Sequence, residues 1–181
     1  VEQVKQKSPD VVVMGEQLHG YGGYGVLRHF KDAAVEIKKV SPKTKIIFGG
    51  LWYSAMPVPT LEENPAVDFV VMGEEESFGD LIEAIDKNRP LKDVGGVTSR
   101  IDGQIVMGPH KPLMPDLDKL PLPAYDLFPM DKYVGHTYWK PFVDMVTSRG
   151  CPSACTFCYE WDQFDPRSPS DFLKWRAKSP E

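Results

Sequence analysis

Three short apolar runs, each closed by glycine, constrain this chain most. Asp10 to Met14 (Asp-Val-Val-Val-Met) runs into Gly15, Lys45 to Phe48 into Gly49-Gly50, and Val67 to Met72 into Gly73. Continuous β-branched and aromatic runs suit strands buried on both faces, as in a parallel sheet covered by helices. Between them the pattern is helical. Leu27, Phe30, Ala34 and Ile37 fall three or four residues apart, and Val40 closes that segment before Ser41-Pro42. Prolines 57, 59 and 65 punctuate a loop with a short helix around Leu61, and Ser77 is the expected cap of a helix burying Leu81, Ile82, Ala84 and Ile85. Strands alternating with helices define an α/β unit with a parallel sheet. Ligands of such sheets sit beyond the carboxyl ends of the strands, so Gly15, Gly49, Gly50, Gly73 and Glu74 are expected on one ligand-facing rim. Glycine also simply ends strands; the rim reading rests on three such ends coinciding.

From Gly96 the pattern changes. Val97 to Arg100 and Gln104 to Met107 flank Ile101-Asp102-Gly103, a strong hairpin signal. Prolines at 109, 112, 115, 121, 123 and 129 are then interleaved with Leu113, Leu117, Leu120, Leu122, Leu127 and Phe128, which reads as a strap packing on a surface rather than a flexible linker. Pro141 to Thr147 reads as a strand leading to Ser148-Arg149-Gly150, and Asp171 to Lys178 as the opening of a helix capped by Ser170. The expected organisation is an α/β domain over residues 1–95, a hairpin and strap over 96–138, and the start of a second domain over 139–181. The opening on a helical stub without Met, and the close soon after the last cysteine, read as a piece cut at both ends.

Composition narrows the setting. Hydrophobic residues at 41% and charged residues at 26% are ordinary for a globular protein. A net charge of −5 gives no reason to expect nucleic acid as a partner. No apolar run is long enough to span a bilayer and no signal-peptide pattern is present. Thiols clustered rather than scattered as pairs point to a reducing cytoplasm.

All three cysteines lie in one loop, Cys151-Pro152-Ser153-Ala154-Cys155-Thr156-Phe157-Cys158. Thiolates so spaced suit one compact inorganic centre. Four-iron clusters ordinarily take four thiolates, so three would leave one iron open. Structural zinc needs a fourth ligand, commonly from a second short pair; the nearest candidate is His136, upstream of the predicted strand. A disulfide would strain so short a loop and leave one thiol over. An iron–sulfur cluster, zinc, or simple thiols are the three readings the residues allow.

Ser148-Arg149-Gly150 and the Cys-x3-Cys-x2-Cys loop, with aromatic Phe157 before the last cysteine, resemble the cluster loop of radical S-adenosylmethionine (SAM) enzymes. The upstream part resembles the cobalamin-binding Rossmann-like domain that precedes the barrel in one large subgroup. Pro9-Asp10-Val11-Val12, Phe48-Gly49-Gly50, the run from Val67 to Glu76 and the strap from Asp116 to Ala124 carry that likeness. The resemblance implies a Rossmann-like parallel-sheet domain followed by the first β-strand and cluster loop of a truncated partial (β/α) barrel. It implies that Cys151, Cys155 and Cys158 ligate a 4Fe-4S cluster whose open iron chelates SAM. An electron donor such as flavodoxin or ferredoxin would supply the electron that cleaves SAM to methionine and a 5′-deoxyadenosyl radical.

On the same resemblance, Phe157 would face the adenine of SAM, or pack the loop, and Arg149 would tune the cluster charge or brace the turn. Cobalamin would lie over Gly15, Gly49, Gly50, Gly73 and Glu74, where glycine lets a corrin approach the backbone. The sequence departs from the pattern in two places. The Asp-x-His-x-x-Gly cobalamin motif is absent, and Gly15 stands where relatives often carry serine. His19 is either a cobalt ligand or a solvent- or substrate-facing residue of its Gly/Tyr-rich loop. Glu74, Glu75 and Glu76 look like paired acids but suit a helix N-terminus. The implied function is a cobalamin-dependent radical SAM methyltransferase or cyclase; the alternative is a radical SAM protein whose Rossmann-like domain has become a substrate or docking module.

Overall fold

The structure, a computed structural model, describes residues 1–16, 23–74, 76–133, 143, 145–153, 155–157, 167–168, 171 and 174–180. Two compact units divide the chain: Val1–Leu113 with Cys155–Phe172, and Met114–Ala154 with Leu173–Glu181. The first contains α1 (Glu2–Lys7), β1 (Val11–Glu16), α2 (Gly23–Val40), β2 (Lys45–Gly50), α3 (Leu51–Ala55), α4 (Pro57–Glu63), β3 (Phe69–Val71), α5 (Glu76–Asp86), β4 (Val97–Ile101) and β5 (Gln104–Met107). Its five strands lie in chain order, with β1–β2 and β2–β3 parallel and β3–β4 and β4–β5 antiparallel. The fold is a Rossmann-like α/β sheet with helices on both faces.

Strand alternation explains how the sheet is covered. Val12, Met14, Ile46, Phe48 and Val70 pack with Ala34 and Ile37 of α2, Tyr53 of α3 and Leu61 of α4. Their chain neighbours Val11, Ile47, Phe69 and Val71 face the other way, onto Leu81 and Ala84 of α5. Successive strand residues point to opposite faces, so an unbroken apolar run serves two cores at once, each fully buried aliphatic side chain contributing about 1.5–3 kcal/mol.

Several boundaries differ from expectation. The glycines do not stop the first two strands: Gly15 pairs with Gly49 and Glu16 with Gly50 inside the ladder, because glycine keeps both backbone hydrogen-bonding groups. The third strand is shorter than the run Val67 to Met72, although both of those end residues are buried. The short helix expected around Leu61 forms as α4, and a further helix, α3, precedes it and stops at Met56, since Pro57 cannot extend α3 but suits the first turn of α4. Ser77 is not the cap of α5 but a buried residue within it, and a Cβ at Gly96 would fall 2.2 Å from its Oγ. The Asp-Gly hairpin forms as expected, with φ of 49° at Asp102 and 79° at Gly103, the positive pair a type I′ turn requires. It extends the main sheet, so the first compact unit runs to Leu113, beyond the boundary expected after residue 95.

The second unit is sparser. The strap forms 3-10 turns at Leu117–Lys119, Tyr125–Leu127 and Met130–Lys132. Leu117 is buried, whereas Leu122, Leu127 and Phe128 are exposed, so only the first part of the strap packs as expected. Of the strand expected over residues 141–147, Val143 and residues 145–147 are described and are not strand. Pairing starts one residue later, where β6 (Ser148–Arg149) meets β7 (Arg176–Ala177) antiparallel. The helix expected from Asp171 to Lys178 is absent over its described C-terminal half. Ser148 and Arg149 pair with that segment, and Lys178 N–H donates to Thr147 O at 2.8 Å, holding it extended.

A carboxylate fixes the start of the parallel strands. Asp68 Oδ2 accepts the Ile46 N–H at 2.8 Å and the Lys38 ammonium at 2.7 Å, and Lys38 also donates to Thr44 O at 2.8 Å. One side chain thereby ties α2, the entry of β2 and the entry of β3. Hydrogen bonds to charged groups are worth about 1.5–3 kcal/mol each, so Asp68→Ala should destabilise the chain by about 2–3 kcal/mol in urea unfolding. The exposed Lys39–Glu36 pair should matter little, Lys39→Ala costing less than about 0.5 kcal/mol.

Candidate functional site

The parallel register carries Gly15, Gly49, Gly50, Gly73 and Glu74 to the carboxyl end of the sheet. Gly15 stands beside Gly49, which in turn pairs with Val71, two residues before Gly73. Sequence reasoning missed what joins these ends. The buried Ser54, on α3, donates its hydroxyl to Gly50 O at 2.7 Å and accepts the Gly73 N–H at 3.1 Å. It stitches the exit of β2 to the exit of β3, and a serine in a short helix gives no sequence signal of that role.

The glycines are not equivalent. Gly50 at φ 117° and Gly73 at φ 75° occupy backbone conformations that side chains resist. Gly15 and Gly49 do not: a Cβ at Gly15 would come no closer than 4.0 Å to Gly49 O, and one at Gly49 no closer than 3.9 Å to Val71 O. No described neighbour crowds a Cβ at either position, so packing among the described residues does not call for glycine there. Alongside, a cavity of about 280 Å³ is lined by Phe48, Trp52 and Tyr53, with exposed Arg28 and Lys31 from α2. Glu74 is half-buried just before α5, whose first turn carries Glu76, in keeping with the helix-terminus role for these acids. Glu75 and His19 lie outside the described residues.

At the cysteine loop, β6 delivers the chain to Gly150, which turns it at φ 78°. Cys151 and Cys155 are half-buried and outside any disulfide, and Cys151 Sγ accepts the Ser153 N–H at 3.4 Å. Cysteine sulfur, once deprotonated, is a soft metal ligand. The described donor chemistry therefore fits a thiolate-held centre. Cys158 and His136 lie outside the described residues, and among those described no group of three or more His, Cys, Asp or Glu is placed to hold a metal ion. Phe157 is 89% exposed. No described helix is long and apolar enough to cross a membrane.

No family model matches the chain. It is 34% identical to an uncharacterised methyltransferase of Pyrococcus horikoshii over 180 residues, covering 98% of this chain and 36% of that protein. It is 32% identical over 129 residues to the anaerobic magnesium-protoporphyrin IX monomethyl ester cyclase of Rubrivivax gelatinosus, covering 68% of this chain and 23% of that one. The fold superposes with a TM-score of 0.62 on the radical SAM methyltransferase TsrM from Kitasatospora setae, solved with cobalamin and a 4Fe-4S cluster bound, at 16% identity over 94% of this chain and 33% of that one. The chain belongs to the family of these methyltransferase and cyclase relatives, and its fold is that of a radical SAM methyltransferase solved with cobalamin bound. It spans about a third or less of the length of the curated family members it matches, 36% and 23%.

The glycine geometry predicts different costs of substitution at neighbouring positions. Gly49→Ala should leave stability unchanged or raise it by about 0.5–1 kcal/mol, because strand glycine carries an entropic cost. Gly50→Ala should lose about 1–3 kcal/mol from its strained φ. Thermal unfolding of the two variants reads the difference.

Proposed function

We propose that the chain supplies the cobalamin-binding domain and the cluster loop of a cytoplasmic radical SAM enzyme, a methyltransferase or cyclase acting on a small molecule. The observation that carries this reading is the pair Gly15–Gly49, bare at the sheet rim without any demand from φ or from packing among the described residues. A flat macrocycle resting on the strand ends would require that bareness, and aqueous loops would not. Ser54 keeps the neighbouring exits of β2 and β3 in fixed relation, so the surface offered to such a ligand is preformed.

Cys151, Cys155 and Cys158 would hold the 4Fe-4S cluster, which when bound supplies the electron that cleaves the sulfonium of SAM. The chain's own part is to present the three sulfurs on one loop and to hold Phe157 exposed for the adenine. A flavodoxin or ferredoxin would serve as reductant. Relatives named as methyltransferase and as cyclase support the general reaction class and leave both outcomes within this proposal.

Titration with hydroxocobalamin followed by gel filtration tests the rim. The chain should retain corrin, and Gly49→Val, still folded by circular dichroism, should bind at least about tenfold more weakly, a loss of 1.4 kcal/mol or more. Equal retention by both proteins would remove the glycines from the site. No retention by either would favour the docking-module reading of the domain.

A further inference from the structure

The entry to the cysteine loop depends on a ladder of only two residue pairs, Ser148 with Ala177 and Arg149 with Arg176. Isolated two-stranded pairs are marginal in water even when longer, so β7 must be held by something else. The partners belong to the strap. Arg176 Nη1 donates to Met114 O at 2.7 Å while its Nε donates to Lys174 O at 3.0 Å. Lys178 Nζ donates to Leu120 O at 3.3 Å, and the Ser179 N–H donates to Asp118 Oδ1 at 2.9 Å.

These tethers bracket Leu117, the one described strap residue that is deeply buried, and its turn is itself capped by Asp116 Oδ1 on the Asp118 N–H at 3.1 Å. The order of connection is strap to β7, β7 to β6, and β6 to Gly150-Cys151. Arg176 is the node: its backbone pairs with Arg149 and its guanidinium reaches the strap. A guanidinium fork can satisfy two carbonyls in fixed directions, which an ammonium on a flexible stem does poorly.

We propose that Arg176 is a positioning residue for the cluster loop, clasping the strap so that β6 presents Cys151 in one fixed place. The inference rests on reading the cysteine loop as the cluster site. It assigns the Pro-rich strap a task beyond joining two domains: it is the template for the strand that leads into the thiolates. Asp118 is the strap-side half of the same clasp.

Amide hydrogen exchange and iron release on the whole chain test this together. In Arg176→Ala, exchange at residues 147–149 should quicken by about tenfold or more, the loss of a charge-assisted hydrogen bond, with Arg176→Lys intermediate and Asp118→Ala in the same direction. Residues 45–50 should exchange as before, which shows that the sheet unit is still folded. Iron release from the anaerobically reconstituted cluster to a ferrous chelator should accelerate in the same order, whereas Lys119→Ala should change neither reading. Unchanged exchange at 147–149 in both Arg176→Ala and Asp118→Ala would overturn the clasp. Faster exchange with unchanged iron release would overturn its role in positioning the cluster. If the unaltered chain takes up no iron and sulfide, the cluster assignment falls and the positioning role with it, even where exchange shows the clasp itself intact.

Discussion

Parallel pairing in a fixed register is the constraint on which the rest of this chain depends. A slip of one residue between β1 and β2 would move Gly15 off Gly49 and turn each apolar run onto the wrong face. The register is pinned at both ends by side chains outside the apolar pattern. At the start of the strands Asp68 accepts both the Ile46 N–H and the Lys38 ammonium. At their exit Ser54 bridges Gly50 O and Gly73 N–H. The apolar faces supply most of the stabilisation, while these two polar brackets decide where each strand begins and where the rim lies.

The rim then divides its glycines by physical cause. Gly50 and Gly73 serve the backbone, which turns through conformations closed to other residues. At Gly15 and Gly49 neither φ nor any described neighbour calls for glycine, and the proposed flat ligand would make use of that. The cysteine loop lies in a different structural setting. There the controlling interactions are few and reach far along the chain, from Arg176 to Met114 and from Ser179 to Asp118.

This contrast explains what could be read from the residues alone. The strands, the two-faced sheet and the hairpin were legible because each follows from local periodicity or from one turn dipeptide. The glycine positions were legible too, although their place inside the ladder was not, since glycine pairs through its backbone as well as any residue. Ser54 carried no signal because its partners lie at the ends of two different strands. The segment around Arg176 reads as helical by local propensity, and its extended form comes from partners near residues 114–120 and 147–149 that no local rule can see. The spacing of Cys151, Cys155 and Cys158 marked the loop as a candidate centre, whereas the clasp that leads into it carried no local signal.

The central claim is that the three thiolates hold a 4Fe-4S cluster, and anaerobic reconstitution with iron and sulfide tests it most directly. The account predicts about four irons and four acid-labile sulfides per chain, lost on replacing Cys151, Cys155 and Cys158 together by serine. Stoichiometric zinc with no acid-labile sulfide would contradict it.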